Sequence, residues 1–426
     1  MIVSEDQSRD VGSLVVPQVG ALIATDAREE PYRLLDPSGT VVGPVAGYFL
    51  DLQAAGRSVA TLRSYGMDLL RWFRFLWAVE VAWDRAGRIE ARDFSRWLQL
   101  AGKPARAHWR RRGQSATGVD GRTDGPRSPG TVNPVTGKPL LGKKYAASTI
   151  AHSETVLRAF YDFHGEVCSG PVINPFPLAR ARRAGRANAH HNPMEPFRNE
   201  RTGLYRPRVP RRIPRSIPDE VFNELFARLP SHRDRALVAF FVSTGARAAE
   251  LLGVTQDGVD PGTQVISVVR KGSRAVQQLP ASPDAFVWLR LYQVELEGRI
   301  PQGRGRPLWW TLRRPHRPLT YHALHRMFER VNDTLGANWT LHDLRHTAAY
   351  RMAEDPALPL TDVQHVLGHA HLTTTQIYLT PRQEDVIRRV LDHHANQAAR
   401  RAARTQPPPA PGYRPETLDV LFGRHP

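Results

Sequence analysis

The chain has 426 residues, enough for two or three domains with separate cores, and its 41% apolar fraction is ordinary for a globular protein. No apolar run approaches the ~20 residues of a membrane-spanning helix, and the N-terminus (Met1 to Asp6) lacks the basic and apolar regions of a secretion signal. The single cysteine, Cys168, excludes an intramolecular disulfide and a cysteine-based zinc site, and the formal charge of +18 is large.

A reducing, cytoplasmic setting is therefore expected, with Cys168 as a core residue and no membrane partner. Residues 1–43 carry seven acids against Arg9, Arg28 and Arg33, a net of −4, so the rest of the chain carries +22. A surface so basic attracts polyanions and binds them with salt-dependent affinity. A general arginine bias is the competing source of that charge. Only five of the 59 basic residues are lysine, and after Lys144 the only one is Lys271. Arginine does not release a proton near neutrality and lysine can, so a solitary lysine suggests a position that needs a titratable amine.

In chain order, residues 1–43 show no long helical pattern and read as an N-terminal extension with a short β-hairpin around Asp36–Gly39. From about 44 the pattern turns helical. Leu62, Tyr65, Leu69, Trp72, Phe73 and Leu76 recur at three- and four-residue steps. Phe94, Trp97 and Leu98 predict a shorter helix. Ser148 is placed to cap another, whose stripe is Ile150, Val156, Leu157, Phe160 and Tyr161. Between them, residues 103–145 are rich in Gly, Pro and Arg and read as a surface insertion. The stretch 181–215 is dense in arginine (Arg182, Arg183, Arg186, Arg198, Arg206 and others) and reads as a basic interdomain linker, either a solvated spacer or a strand that lies along DNA phosphates, the second being favoured.

From 216 a compact domain begins. Ser216 to Glu220 opens a helix, and Ser231 caps a second one running to Phe241. Thr244-Gly245 breaks the chain before a short helix with Arg247 and Glu250. Residues 265–269 and 275–279 form a hairpin around a turn at 270–274. Helices are predicted around 283–297, 320–334, 342–353, 360–367, 372–379 and 382–404, followed by an irregular Pro-rich tail. The fold class expected is mainly α with a small β-hairpin in the second domain.

The chemistry concentrates between His342 and Tyr378. His342, Arg345 and His346 share one helix face, and Leu367-Gly368-His369 and Tyr378 follow. An arginine to hold phosphate oxygens, imidazoles to move protons and a phenol as nucleophile suit work on a phosphodiester. A capping histidine with a surface arginine is the bland account of the first pair. A metal site is the chemical rival, since His342/His346 and His365/His369 have i, i+4 spacing, but no glutamate of a metalloprotease motif lies between them.

As an ordered set these residues resemble the tyrosine recombinases, the phage-type integrases. Thr244-Gly245-Ala246-Arg247-Ala248-Ala249-Glu250-Leu251 looks like the family's first box, and His342-Asp343-Leu344-Arg345-His346-Thr347 like its second. Lys271 falls on a hairpin between the boxes, where the family carries its catalytic lysine, although Arg270 stands where glycine is common. The resemblance implies a two-domain DNA clamp: a helical, SAM-like core-binding domain at 44–180, the linker, a catalytic domain at 216–395 and a tail at 396–426. It implies a catalytic set of Arg247, Lys271, His342, Arg345, His369 and Tyr378. No metal and no other cofactor is implied. The implied partner is double-stranded DNA, with protomers assembling as a dimer on one site and a tetramer across two, associated with the nucleoid. A type IB topoisomerase and a non-catalytic DNA-binding protein of the same fold are the alternatives.

Overall fold

The computed structural model describes residues 9–104, 131–139, 142–179, 202–209, 215–379, 383–402 and 414–423. The chain divides into two compact units, Met1–Arg211 and Arg212–Pro426. Most of the 103–145 insertion and most of the linker arginines lie outside the described residues.

The first unit begins with a two-stranded antiparallel sheet, β1 (Ala21–Ala24) and β2 (Tyr32–Leu35). The turn expected at Asp36–Gly39 follows it: the Asp36 carboxylate accepts from the amides of Ser38 and Thr40, and Leu35 bridges Val41. Four helices follow, α1 (Gly43–Ala54), α2 (Val59–Ala78), α3 (Arg88–Leu100) and α4 (Ala147–Glu166). Ser58 caps α2 by accepting from the Thr61 amide, as an extended serine before a helix does. α4 starts one residue before Ser148, with Ala146 as an unassisted cap.

The aromatic stripes form the core of this unit. Trp72, Phe75, Phe94, Tyr161 and Phe176 are buried together, and the indole of Trp72 donates to the Tyr161 hydroxyl at 3.0 Å. Burying such rings supplies the largest apolar areas available to a side chain, and the buried N–H finds an oxygen. Residues 9–43 are more than an extension: Val11, Val16 and Leu34 join the same core. Arg74 fixes the segment by donating to the carbonyls of Val19 and Gly20. Cys168 is exposed, against expectation; it lies just past the end of α4 with φ 52°.

The second unit contains α5 (Asp219–Ala227), α6 (His232–Thr244) and α7 (Ala248–Leu252), then the antiparallel sheet β3 (Val259–Asp260), β4 (Val265–Val269) and β5 (Val276–Pro280). β4 and β5 pair from Val265–Pro280 to Val269–Val276, which sets the hairpin tip at 270–275. α8 (Pro283–Glu295), α9 (Tyr321–Leu335), α10 (Leu341–Glu354), α11 (Leu360–Leu367), α12 (Leu372–Gln376) and α13 (Gln383–Ala402) follow. The tail, expected to be irregular, contains a further helix, α14 (Pro415–Leu421), with proline in its first turn. α6 lies in the apolar centre, with Leu237, Val238 and Phe240 fully buried. A mainly α fold with a small β-hairpin in the second unit is what the sequence predicts.

Candidate active site

Three chain breaks, at Gly245, at the β4–β5 tip and at Gly368, build the site together with α10. α6 ends at Gly245, which is left-handed at φ 61° and leaves no room for a Cβ: one would stand 2.7 Å from the Leu367 side chain. Arg247 then caps α7, its backbone amide donating to Glu250 at 2.9 Å and its guanidinium to the other oxygen of the same carboxylate at 2.9 Å. Arg247 is thereby aimed by Glu250 while its side chain stays 31% exposed, available to an anion.

The second break is the tip between β4 and β5. The Lys271 amide donates to Glu250 at 3.2 Å, and the Lys271 side chain is exposed. Arg270 turns inward. It is 5% exposed and donates to Glu250 at 3.0 Å, to Gln277 at 2.6 Å and to the carbonyl of Val366. Gln277 in turn donates to the carbonyl of His365 at 2.9 Å. The hairpin is thus tied to the C-terminal end of α11. Burial pushes the Glu250 carboxyl up, but hydrogen bonds from Arg247 and from the Lys271 amide outweigh it and hold it below the usual range.

The third element is α10. Its cap is Thr340 with Asp343, which accepts from the Thr340 amide at 2.6 Å, so His342 is not the cap. Arg345 is buried rather than on the surface, 2% exposed. It donates to the carbonyls of Gly245 at 2.5 Å and Leu367 at 2.7 Å. Burial, then the neighbouring Arg247, lowers its pKa to about 10, which leaves it charged at neutral pH. The two arginines carry their charge into one place, each with its backbone or carboxylate support behind it.

His369 follows the left-handed Gly368 at the end of α11. Its Nε2 lies 3.0 Å from Arg345 Nη2, and its Nδ1 lies 2.9 Å from the Thr375 hydroxyl. A guanidinium only donates, so Nε2 is the acceptor and the ring proton sits on Nδ1. Burial and then the charge of Arg345 push His369 down to about 4, consistent with a neutral ring.

Tyr378 sits in a 3₁₀ turn, Ile377–Leu379, directly after α12. It is 4% exposed and packs with Tyr350, Val363 and Leu367. Its ring lies parallel to that of His369 with centroids 6.3 Å apart. Burial raises its pKa, against the opposing pull of Arg345 and Arg247. Its hydroxyl lies 2.9 Å from Nδ1 of His346, and the His346 ring meets that of His342 edge-on at 4.4 Å.

The structure therefore brings Arg247, Arg345, His369 and Tyr378 into one cluster, with the main chain of Lys271 at its edge and His342 beside His346. Two functional candidates escaped the sequence. Arg270 reads there as a turn residue, since nothing local signals partners 20 and 96 positions away. For His346, the face shared with His342 was the only available signal.

A family model described as the phage integrase family matches residues 216–385, and one described as the phage integrase N-terminal SAM-like domain matches residues 45–114. Among relatives, tyrosine recombinase XerC of Xylella fastidiosa (strain M23) is 34% identical over 177 residues, 40% of this chain and 56% of its own length. Tyrosine recombinase XerD of Corynebacterium glutamicum is 32% identical over 148 residues, 34% and 47% of the two chains. The matches thus span about half the length of these relatives. Two solved structures share the fold, each with a TM-score of 0.50. One is a Tn1549 transposon integrase in complex with a circular intermediate DNA, 15% identical over 82% of this chain and 99% of that one. The other is XerH site-specific recombinase bound to palindromic difH substrate, 14% identical over 82% and 84%. With both family models matching in order, one on each compact unit, the chain belongs to the phage integrase family of tyrosine recombinases.

Proposed function

We propose that this chain is a site-specific recombinase that cuts and rejoins duplex DNA through a 3′-phosphotyrosyl intermediate, acting on the DNA of a phage, transposon or other mobile element. The observation that carries the reading is the convergence of two supported guanidiniums, Arg247 and Arg345, on the neighbourhood of a buried tyrosine, Tyr378. Two such donors suit the nonbridging oxygens of a phosphodiester as charge grows in the transition state, where one lost donor costs on the order of 10²–10³ in rate. Tyr378 attacks phosphorus and the 5′ oxygen leaves. Lys271, on its exposed hairpin tip, protonates that oxygen, which an arginine is poorly suited to do. His342 assists movement of the Tyr378 proton, and His369 hydrogen-bonds a phosphate oxygen once Arg345 turns to the DNA. The phosphotyrosyl ester conserves the energy of the broken bond, so rejoining needs neither metal nor nucleotide.

Assembly as a dimer on one site and a tetramer across two belongs to the same reading. The α13 residues Val386, Ile387, Val390 and Leu391 are 38–62% exposed and share one helix face, which suits docking on a neighbouring protomer. Truncation after about residue 382 tests this, and unchanged assembly on DNA removes it.

Nicked duplexes incubated with wild type and with Tyr378→Phe test the chemistry. A denaturation-stable protein–DNA adduct is expected from wild type alone. No adduct from wild type rejects the enzyme and leaves a DNA-binding protein. A Tyr378-dependent adduct without strand exchange replaces recombination by topoisomerase-like relaxation. Mapping the joined ends of the DNA identifies the element on which it acts.

A further inference from the structure

The proton on the Tyr378 hydroxyl has to leave before its oxygen can bond to phosphorus. A direct acceptor must lie within hydrogen-bond reach, about 2.6–3.2 Å. Nδ1 of His346 lies 2.9 Å from that hydroxyl. His342, to which the family resemblance gives the proton-handling part, instead presents its ring to His346, at 4.4 Å between centroids. His342 is exposed in the first turn of α10, whereas His346 is half-buried one turn further in.

Packing fixes the pair. Tyr350, one turn beyond His346 on α10, meets the Tyr378 ring edge-on at 5.3 Å. The His346 ring lies 5.6 Å from the Tyr378 ring. The phenol is thus held on its α10 side by two residues at i and i+4, with little freedom to point elsewhere. The charged and titratable groups around the pair are His342, Arg345 and Tyr350 from α10, His369 from the loop after α11, and Arg247 from the start of α7.

We propose that His346 is a catalytic residue, the group that takes the Tyr378 proton directly, with His342 behind it. This rests on the strand-cleavage reading above. In the forward step the Tyr378 O–H bond breaks and its proton passes to Nδ1 of a His346 ring protonated on Nε2, giving an imidazolium. The phenolate oxygen bonds to phosphorus, the bond from phosphorus to the 5′ oxygen breaks, and that oxygen takes a proton from the Lys271 ammonium. In rejoining, the attacking 5′-hydroxyl returns its proton to Lys271, and the departing Tyr378 oxygen recovers its proton from His346. Both groups are reset after each cycle, and no outside acid or base is consumed.

The test is single-turnover adduct formation on two DNA substrates, one normal and one with sulfur in place of the bridging 5′ oxygen. A thiolate leaves without a proton, so the sulfur substrate removes the need for Lys271 and isolates deprotonation of Tyr378. His346→Asn keeps an acceptor oxygen near the position of Nδ1 but no basic nitrogen. It is expected to bind DNA as wild type does and to form adduct about 10²–10³-fold more slowly on both substrates. Lys271→Ala is expected to be slow on the normal substrate and restored on the sulfur one. Wild type on the sulfur substrate should accelerate with pH and then level off, and His346→Asn should instead keep rising with hydroxide.

A His346→Asn rate within about threefold of wild type overturns the assignment, as does its rescue by sulfur. Should the variant fail to bind DNA, a flat wild-type pH profile on the sulfur substrate overturns the assignment and the expected rise to a plateau supports it. No adduct from wild type on either substrate defeats the strand-cleavage reading and this one together. A normal wild-type adduct with an unaffected variant defeats this one alone.

Discussion

Arg270 Nη1 lies 3.0 Å from the Glu250 carboxylate, and the two residues are 5% and 2% exposed. A pair taken so far out of water gains little net stability from its own attraction, because desolvation offsets it. Its importance is in what it joins. Glu250 also holds Arg247 and the amide of Lys271, and Arg270 also reaches the carbonyl of Val366 at the end of α11. Three separate segments are thereby set by one buried carboxylate and one buried guanidinium. Arg270→Ala leaves Glu250 facing one cation fewer and removes one of two ties between the hairpin and α11, leaving the bond from Gln277 to the His365 carbonyl. A loss of about 3–5 kcal/mol is expected in urea unfolding, the range for breaking one side of a buried ion pair. Arg270→Lys should recover only part of it, since an ammonium lacks the planar fork that spans Glu250, Gln277 and Val366. Equal stabilities for the three proteins would show that the fork does not matter.

The Glu250 carboxyl makes a separate prediction about pH. Burial raises it, and the hydrogen bonds from Arg247 and the Lys271 amide lower it further, so the folded value falls below the ordinary 4.5. A depressed folded pKa adds stability that is complete above the unfolded value and is lost as pH falls through the folded one. Glu250→Gln should therefore be less stable than wild type at neutral pH, and the gap should narrow in acid. Urea midpoints at pH about 7 and about 3 measure it. A gap that widens in acid would reverse the assigned direction.

The extent to which this site is legible in the sequence follows from the range of each interaction. Arg247, Arg345 and Tyr378 were readable because their order and spacing form motifs, and the left-handed breaks at Gly245 and Gly368 are local signals that glycine announces. Arg270 was not, because an arginine in a turn of five residues reads as solvated until its buried acceptors are known. Cys168 departs from the usual preference of free cysteine for cores: it is exposed in the turn after α4, at φ 52°. Residues 9–43 lack any periodicity, yet Val11, Val16 and Leu34 are buried by contacts with helices far along the chain.

Gly245 joins backbone geometry to the proposed phosphate clamp. Its φ of 61° suits glycine, a Cβ would meet Leu367 at 2.7 Å, and its carbonyl accepts from Arg345. Gly245→Ala is expected to cost about 1–2 kcal/mol from the left-handed backbone alone. The clash with Leu367 adds to this, because Leu367 is fully buried and has nowhere to yield. The same change displaces the carbonyl that aims Arg345, so adduct formation should fall by more than DNA binding does. Arg345→Lys provides the comparison. It should fold, bind DNA and cleave on the order of 10²–10³-fold more slowly. A Gly245→Ala protein that loses stability but cleaves normally when folded would separate the backbone strain from the aim of Arg345.

His369 supplies the last prediction, because its charge state depends on whether the arginines beside it are neutralised. Burial and then the charges of Arg345, Arg247 and Arg270 push it from 6.5 to about 4. The folded protein therefore prefers the neutral ring, and stability from this residue is complete above pH 6.5 and lost as pH falls through about 4. His369→Gln, which keeps an acceptor for Arg345 and a donor for Thr375, should flatten the stability profile across that window. A bound phosphodiester places negative charge against the same guanidiniums and offsets their repulsion of an imidazolium. The His369 pKa should then rise in the Tyr378→Phe protein on duplex DNA, giving Nε2 the proton that the proposed donation to a phosphate oxygen requires. Nitrogen-15 shifts of labelled histidine, followed through a pH titration with and without DNA, read both the tautomer and the shift. A His369 that titrates near 6.5 without DNA, or whose midpoint is unmoved by it, would mean that Arg345 and the phosphate do not act on this ring.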